Sequence, residues 1–182
     1  QRVLVDRGRV TGGPVVWRQG ANPWCLGYGL ASAMHAAGDP DGAALLAAET
    51  ARSDFRQPMQ VADFVRRSPA LRYEVVRHRA KGLRAGPAAA ALMEPVLASP
   101  PSRDILLCVL RNAGGGSPHA VGVHDGWIYD SVEVRALPLN QTSLDKCVGT
   151  GLCTGMPVVY RFVAVSSRRG RKRKCAQDVV QL

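Results

Sequence analysis

The chain has 182 residues, of which 46% are apolar, and a formal net charge of +10 at pH 7. This length suits one domain with an ordinary hydrophobic core. No apolar run reaches the ~18 residues that a membrane-spanning helix requires, so no membrane segment or membrane partner is predicted. We expect one folded domain over residues 1–166 and a basic, flexible tail over residues 167–182.

The first predicted elements are two short strands, Val3–Val5 and Val15–Trp17, around a Gly-Pro turn. They lead into a loop that carries Gln19 and then into an apolar segment that begins at Cys25. Apolar residues recur four apart in this segment, which predicts a buried helix that ends near Gly38.

Cys25 is therefore expected at the first turn of a helix, where the chemistry of a thiol changes. A helix N-terminus carries about half a positive charge, which favours the thiolate and lowers the pKa of the cysteine. Gln19, six residues upstream, is placed to donate its side-chain amide to an oxyanion beside the sulfur. The alternative is that Cys25 is a small buried hydrophobe, the commonest role of a lone cysteine on an apolar helix.

Helices dominate the rest of the first half. The apolar patterns predict one strand, Leu71–His78, and helices over Ala43–Arg52, Met59–Arg67 and Pro87–Leu97. A helical first half followed by strands predicts an α+β fold, in which the Cys25 helix packs on a C-terminal antiparallel sheet.

Strands dominate the second half. The continuous apolar run Ile105–Leu110 is typical of a strand buried on both faces. His119–His124 and Trp127–Ser131 flank an Asp-Gly pair, which predicts a two-residue hairpin turn because that turn requires positive φ at both positions. Residues 135–154 are expected to be mostly loop, and Pro157–Val165 is the last predicted strand.

The hairpin register places two polar side chains on one apolar face. Residues paired across the turn, and residues two apart along a strand, lie on the same side of a sheet. His119 and Asp130 are then diagonal neighbours, about 5–8 Å apart at Cβ. An unpaired charge on an apolar face is costly, so we expect Asp130 to bind His119 and orient its ring toward a thiol. Taken alone, His119 would more often be a structural histidine.

The order of Gln19, Cys25, His119 and Asp130 resembles that of the papain-like cysteine peptidases. The resemblance implies that Cys25 is the nucleophile, that His119 is the general base and acid, and that Asp130 orients the histidine. It also implies that Gln19 and the Cys25 amide form the oxyanion hole. The chain is shorter than papain and lacks the cysteines that form disulfides near the nucleophile. Those differences point to the compact intracellular branches, which include viral or mobile-element proteases, deubiquitinases and bacterial effector peptidases.

The resemblance implies a thiol protease that hydrolyses peptide or isopeptide bonds and needs no metal or organic cofactor. The expected partner is a protein or peptide substrate. The triad does not fix that substrate, so ubiquitin and the protein's own polyprotein are both candidates. A protein of the same fold that binds ubiquitin or a peptide without cutting it is an alternative.

The tail supports a function of another class. Six of the 24 basic residues lie in it, so the predicted domain is only mildly basic: Arg168, Arg169, Arg171, Lys172, Arg173 and Lys174. Such a block is typical of a nuclear import signal or a phosphate-contacting segment, and would suit a nucleic-acid-associated accessory module. A solvated charged tail is an equally good interpretation.

The cysteine pattern favours a reducing environment. The five cysteines show no spacing typical of a disulfide framework, which predicts an intracellular protein, cytoplasmic or nuclear. Cys108 is expected in the core. Cys147 and Cys153 are close enough in sequence to pair or to share a metal, although no further ligands lie near them.

Overall fold

The computed structural model describes residues 16, 25–53, 55–79, 93–98, 104–114, 118–149 and 151–165. In chain order the elements are α1 (Cys25–Ala36), α2 (Pro40–Ser53), α3 (Pro58–Arg67), β1 (Tyr73–Arg79), α4 (Met93–Ala98), β2 (Ile105–Asn112), β3 (His119–His124), β4 (Trp127–Tyr129), β5 (Leu137–Pro138), α5 (Gln141–Cys147) and β6 (Cys153–Ala164). The predicted N-terminal strands (apart from Val16), Gln19, the start of the Pro87–Leu97 helix and the basic tail lie outside the described residues.

Local signals explain the first helices. The apolar segment at Cys25 forms α1 as predicted, and the chain turns after it through Gly38, whose φ of +88° suits glycine. Pro58 begins α3 at a position where its missing N–H is not needed. The Gln60 side chain accepts a hydrogen bond from the Gln57 N–H at 2.9 Å, which stabilises the start of α3.

The described strands form one sheet in the order β1-β6-β2-β3-β4-β5, and every pair of neighbours is antiparallel. The hairpin register is confirmed, because His124 pairs with Trp127 and Gly122 with Tyr129. Asp125 and Gly126 both have positive φ, as the predicted turn requires. β4 ends at Tyr129, so Asp130 follows the strand and does not lie within it.

The sheet carries helices on both sides. The first face contributes Ala120, Tyr129, Tyr160 and Phe162 to a core that also contains buried residues of α1, α2 and α3. The second face contributes Val121, Val123, Ile128 and Val159 to a core shared with α4 and α5. The predicted α+β class is confirmed, and the sheet is buried on both sides at its centre.

The prediction that residues 135–154 are mostly loop is wrong. This segment contains β5 and α5, and β6 begins at Cys153. Asn140 begins α5 by accepting a hydrogen bond from the Ser143 N–H at 2.9 Å through its side chain. None of the described helices has the length and apolar character needed to cross a bilayer.

Candidate active site

A direct contact between two backbones sets the position of α1 on the sheet. A Cβ atom on Gly122 of β3 would lie 2.1 Å from the carbonyl oxygen of Gly29 in α1. A Cβ on Gly29 would lie 3.0 Å from the Gly122 nitrogen. No side chain fits between the two segments, so α1 lies directly on β3.

This contact brings the start of α1 to the start of β3. Cys25, the first residue of α1, is half-buried and hydrogen-bonds with the His119 side chain. The backbone N–H of Ala120 also donates to the Cys25 sulfur. The helix N-terminus, the imidazole and a backbone amide therefore surround one thiol.

His119 is bound on its other side by Asp130. Its Nε2 atom lies 2.9 Å from Asp130 Oδ1, as the hairpin register predicted. The same oxygen accepts the Val132 N–H at 3.0 Å. Asp130 is only 2% exposed, whereas the His119 side chain is 20% exposed. Since Nε2 is bound to the carboxylate, Nδ1 is the nitrogen left for the sulfur.

The electrostatics favour a thiolate–imidazolium pair. Burial alone would raise the pKa of Cys25, but the hydrogen bond and charge of His119 and the Ala120 N–H outweigh it, and the pKa is lowered. Burial alone would lower the pKa of His119, but Asp130 and the Cys25 sulfur raise it to about 10. The two shifts thus favour a proton on the ring over a proton on the sulfur.

Asp130 itself stays charged. Burial would raise its pKa, but the hydrogen bond and charge of His119, with smaller contributions from the Val132 N–H and the Cys147 thiol, hold it below the ordinary value. A buried carboxylate that stays ionised can fix the ring orientation and stabilise the imidazolium. The three groups together are equipped for nucleophilic attack by sulfur and proton transfer by histidine.

A cavity of about 350 Å³ opens beside His119 and Asp130 on the second face. His119 and Asp130 line it together with Asn112 of β2 and with Cys147 from the end of α5. Sequence reasoning did not assign Cys147 or the Ala120 N–H to the site. The Asn140 cap could have revealed α5, but nothing local links α5 or the Ala120 amide to Cys25 or Asp130.

Gln19, the predicted oxyanion donor, lies outside the described residues. Cys25, His119 and Asp130 are brought together. Two of the remaining histidines have no part in the site: His124 contacts the Asp104 carbonyl oxygen through Nδ1 at 3.2 Å, and His35 lies in the last turn of α1. Among the described residues, no group of three His, Cys, Asp or Glu side chains could hold a metal ion.

The fold and the site define an α+β protein with a cysteine–histidine–aspartate cluster. No protein-family model matches the chain, and no curated protein or solved structure shows significant similarity to it.

Proposed function

We propose that the protein is a cysteine peptidase that hydrolyses peptide or isopeptide bonds with Cys25, His119 and Asp130 as its catalytic triad. One observation carries the proposal. His119 is hydrogen-bonded on one side to a sulfur at a helix N-terminus and on the other to a buried carboxylate. That arrangement, with the base held between the nucleophile and a third group, is typical of acyl transfer by a thiol.

The reaction would proceed in two steps. The Cys25 thiolate attacks the substrate carbonyl carbon, and His119 donates its proton to the departing amine as the C–N bond breaks and a thioester forms. Water then attacks the thioester, giving its proton to His119 and regenerating the thiolate as the acid product leaves. Asp130 stays ionised throughout and stabilises the ring each time it is protonated.

The Ala120 N–H donates to the ground-state thiolate, so it lowers the pKa of Cys25. Stabilisation of the oxyanion is assigned to Gln19 and the backbone amide of Cys25 as part of the proposal. No step uses a metal or an organic cofactor.

The papain-like form of the α+β fold belongs to the same proposal. Its support is the packing of a helix with an N-terminal cysteine on a strand that begins with the histidine. An intracellular setting, cytoplasmic or nuclear, is also proposed. It is supported by the four cysteines of the described residues, all of which are free thiols.

Selective alkylation of Cys25 tests the triad directly. The protein is treated with iodoacetamide at pH 6, and the modification of each cysteine is followed by mass spectrometry. We expect Cys25 to react much faster than the other cysteines, because its pKa is lowered whereas those of Cys108, Cys147 and Cys153 are raised by burial. Cys108 is the internal reference, since burial raises its pKa to about 12.

The substrate is tested with electrophilic probes built on ubiquitin-like proteins beside a peptide library, using wild type and Cys25→Ala. Turnover in the wild type alone supports the peptidase. Binding by both proteins without turnover would instead indicate a non-catalytic ubiquitin or peptide binder. Slow, equal alkylation of all cysteines together with salt-sensitive RNA or DNA binding would favour the accessory module that the basic tail suggests.

A further inference from the structure

Asp130 has a hydrogen-bond partner that the reaction above does not use. Cys147, the last residue of α5, donates its thiol to the Asp130 carboxylate. Cys147 also lines the cavity that His119 and Asp130 share. The carboxylate is therefore held from three directions: by the His119 ring, by the Val132 amide and by a thiol from a separate helix.

We propose that Cys147 is a positioning residue, whose thiol fixes the Asp130 carboxylate so that Asp130 keeps the His119 ring aligned with Cys25. This inference rests on the proposed function of the triad. Cys147 does not touch the reacting atoms and acts only through Asp130. In this view, α5 contributes to the site by placing the Cys147 thiol beside Asp130.

The two other hydrogen bonds to Asp130 leave room for such a role. His119 and the Val132 N–H both bind the same oxygen, Oδ1. Two bonds to one oxygen do not by themselves fix the plane of a carboxylate, and Asp130 lines the cavity of about 350 Å³. A third donor from the α5 side removes that freedom.

The helix that carries Cys147 is itself firmly held. The Cys153 N–H donates to Asp145 Oδ1 at 2.8 Å, and Gln141 Nε2 donates to the Cys153 carbonyl oxygen at 3.0 Å. Lys146 pairs with Glu133, at 2.7 Å, on the loop that follows Asp130. The contacts to β6 thus place the thiol on an anchored element, as precise positioning requires, and the exposed Lys146–Glu133 pair adds little.

The surrounding charges keep Cys147 protonated. Burial, followed by the charge and hydrogen bond of Asp130 and by the charges of Glu133 and Cys153, raises the pKa of Cys147 far above its ordinary value. A protonated thiol can donate a hydrogen bond but is a poor nucleophile. Cys147 and Cys25 therefore have opposite roles, although both lie beside the same histidine–carboxylate pair.

The test compares a donor-retaining variant with two donor-free variants. Cys147→Ser keeps a hydroxyl donor. Cys147→Ala removes the donor, and Cys147→Val removes it while filling a similar volume, so one of them remains useful if the other fails to fold. Cys108→Ala is the matched control, because Cys108 is a buried thiol of the same second-face core. Two quantities are measured against pH: the rate of Cys25 alkylation by iodoacetamide, and kcat/KM.

We expect the donor-free variants to lose about threefold to tenfold in kcat, the effect of one hydrogen bond, with little change in KM. The acidic limb of Cys25 alkylation should move to higher pH, because a less aligned His119 stabilises the thiolate less. Cys147→Ser should keep the wild-type pH dependence of Cys25 alkylation. Cys108→Ala should change stability alone. Only the donor explanation predicts both the moved limb and its rescue by serine.

The positioning role is overturned if the donor-free variants follow the wild-type pH profile, or if Cys108→Ala moves the limb by the same amount. Neither result would affect the triad, since Cys25 would still react selectively. A wild-type Cys25 that does not react selectively at pH 6 would overturn the proposed function, and this inference with it. The two failures are thus distinguishable in one data set.

Discussion

The two faces of the sheet contribute to the site in different ways. On the first face, Gly29 and Gly122 meet backbone to backbone and set where Cys25 lies. On the second face, polar contacts hold Asp130 beside a cavity of about 350 Å³. Close packing of two backbones allows almost no displacement of α1. A carboxylate held by hydrogen bonds of about 1 kcal/mol each can shift at a small cost in free energy. Substitutions on the first face should therefore have the larger effects.

The largest effect is expected from Cys25→Ala. This variant removes the proposed nucleophile, so kcat/KM should fall by at least about 10³-fold. Steady-state hydrolysis of the best library peptide measures the change, and circular dichroism checks that the fold is retained. Retention of more than a few per cent of wild-type activity would exclude Cys25 as the nucleophile.

Gly122→Ala should come next. The added methyl group would lie 2.1 Å from the Gly29 carbonyl oxygen, so α1 has to move away from β3. We expect a loss of about 1–3 kcal/mol in the free energy of unfolding from overpacking. We also expect about a 10²-fold loss of kcat/KM, because displacement of Cys25 disrupts its alignment with His119.

The matched control for this substitution is Gly114→Ala. A Cβ at Gly114 would meet no atom within 4 Å. Urea unfolding and kinetics of both variants separate a local backbone effect from the loss of a close contact. Equal behaviour of the two variants would mean that the Gly29–Gly122 contact does not set the site geometry.

Asp130→Asn on the second face should have a smaller effect, about tenfold in kcat/KM, because the amide oxygen still accepts from His119 but the charge is lost. The wild-type profile should be bell-shaped, falling at low pH as Cys25 is protonated and at high pH as His119 loses its proton. Asp130 contributes to raising the pKa of His119 to about 10. The alkaline limb should therefore move to lower pH in Asp130→Asn, and an unmoved limb would contradict the assignment.

Stability should follow the same titrations. The pKa of Asp130 is lowered in the fold, so its contribution is present above its unfolded pKa and is lost as the pH falls through the folded value. The raised pKa of His119 contributes stability that is fully present below about pH 6.5. That contribution is lost as the pH rises through about 10. Urea unfolding from pH 3 to pH 10 should show both losses in the wild type and smaller ones in Asp130→Asn.

The smallest effect is expected from Lys146→Ala. The Lys146 side chain is 55% exposed in its ion pair with Glu133. Exposed pairs contribute about 0–1 kcal/mol and are screened by salt, so both stability and kcat/KM should change little. Thermal unfolding in low and high salt checks this expectation. A large loss would mean that this pair, and not the contacts of α5 with β6, holds the helix beside Asp130.

The parts of the molecule that were predictable depend on local chemistry. The apolar spacing after Cys25 gave α1, and the Asp125–Gly126 turn gave the hairpin register and hence the contact between His119 and Asp130. A two-residue turn fixes which residues pair, so a sequence signal of two residues places side chains eleven positions apart in the chain. The catalytic roles of these residues remain predictions.

The parts that were missed depend on long-range contacts or on weak local signals. Neither Gly29 nor Gly122 shows from its sequence surroundings that the other lies against it. The segment that forms α5 is short and polar on the outside, and its main local signal is the Asn140 cap. The contact between Cys147 and Asp130 depends on where α5 packs against the sheet. The spacing of apolar residues in the sequence does not give that position.

The contact between Cys25 and His119 joins residues separated by more than half of the chain. A ribosome therefore makes the cysteine long before it makes the histidine, and the nascent chain carries an ordinary thiol of low reactivity. The thiol becomes reactive only when β3, which carries His119, packs against α1. If Cys25 acts as proposed, the protein would be inactive while it is being synthesised. On heating, Cys25 should lose its reactivity once α1 separates from β3, even where helices persist.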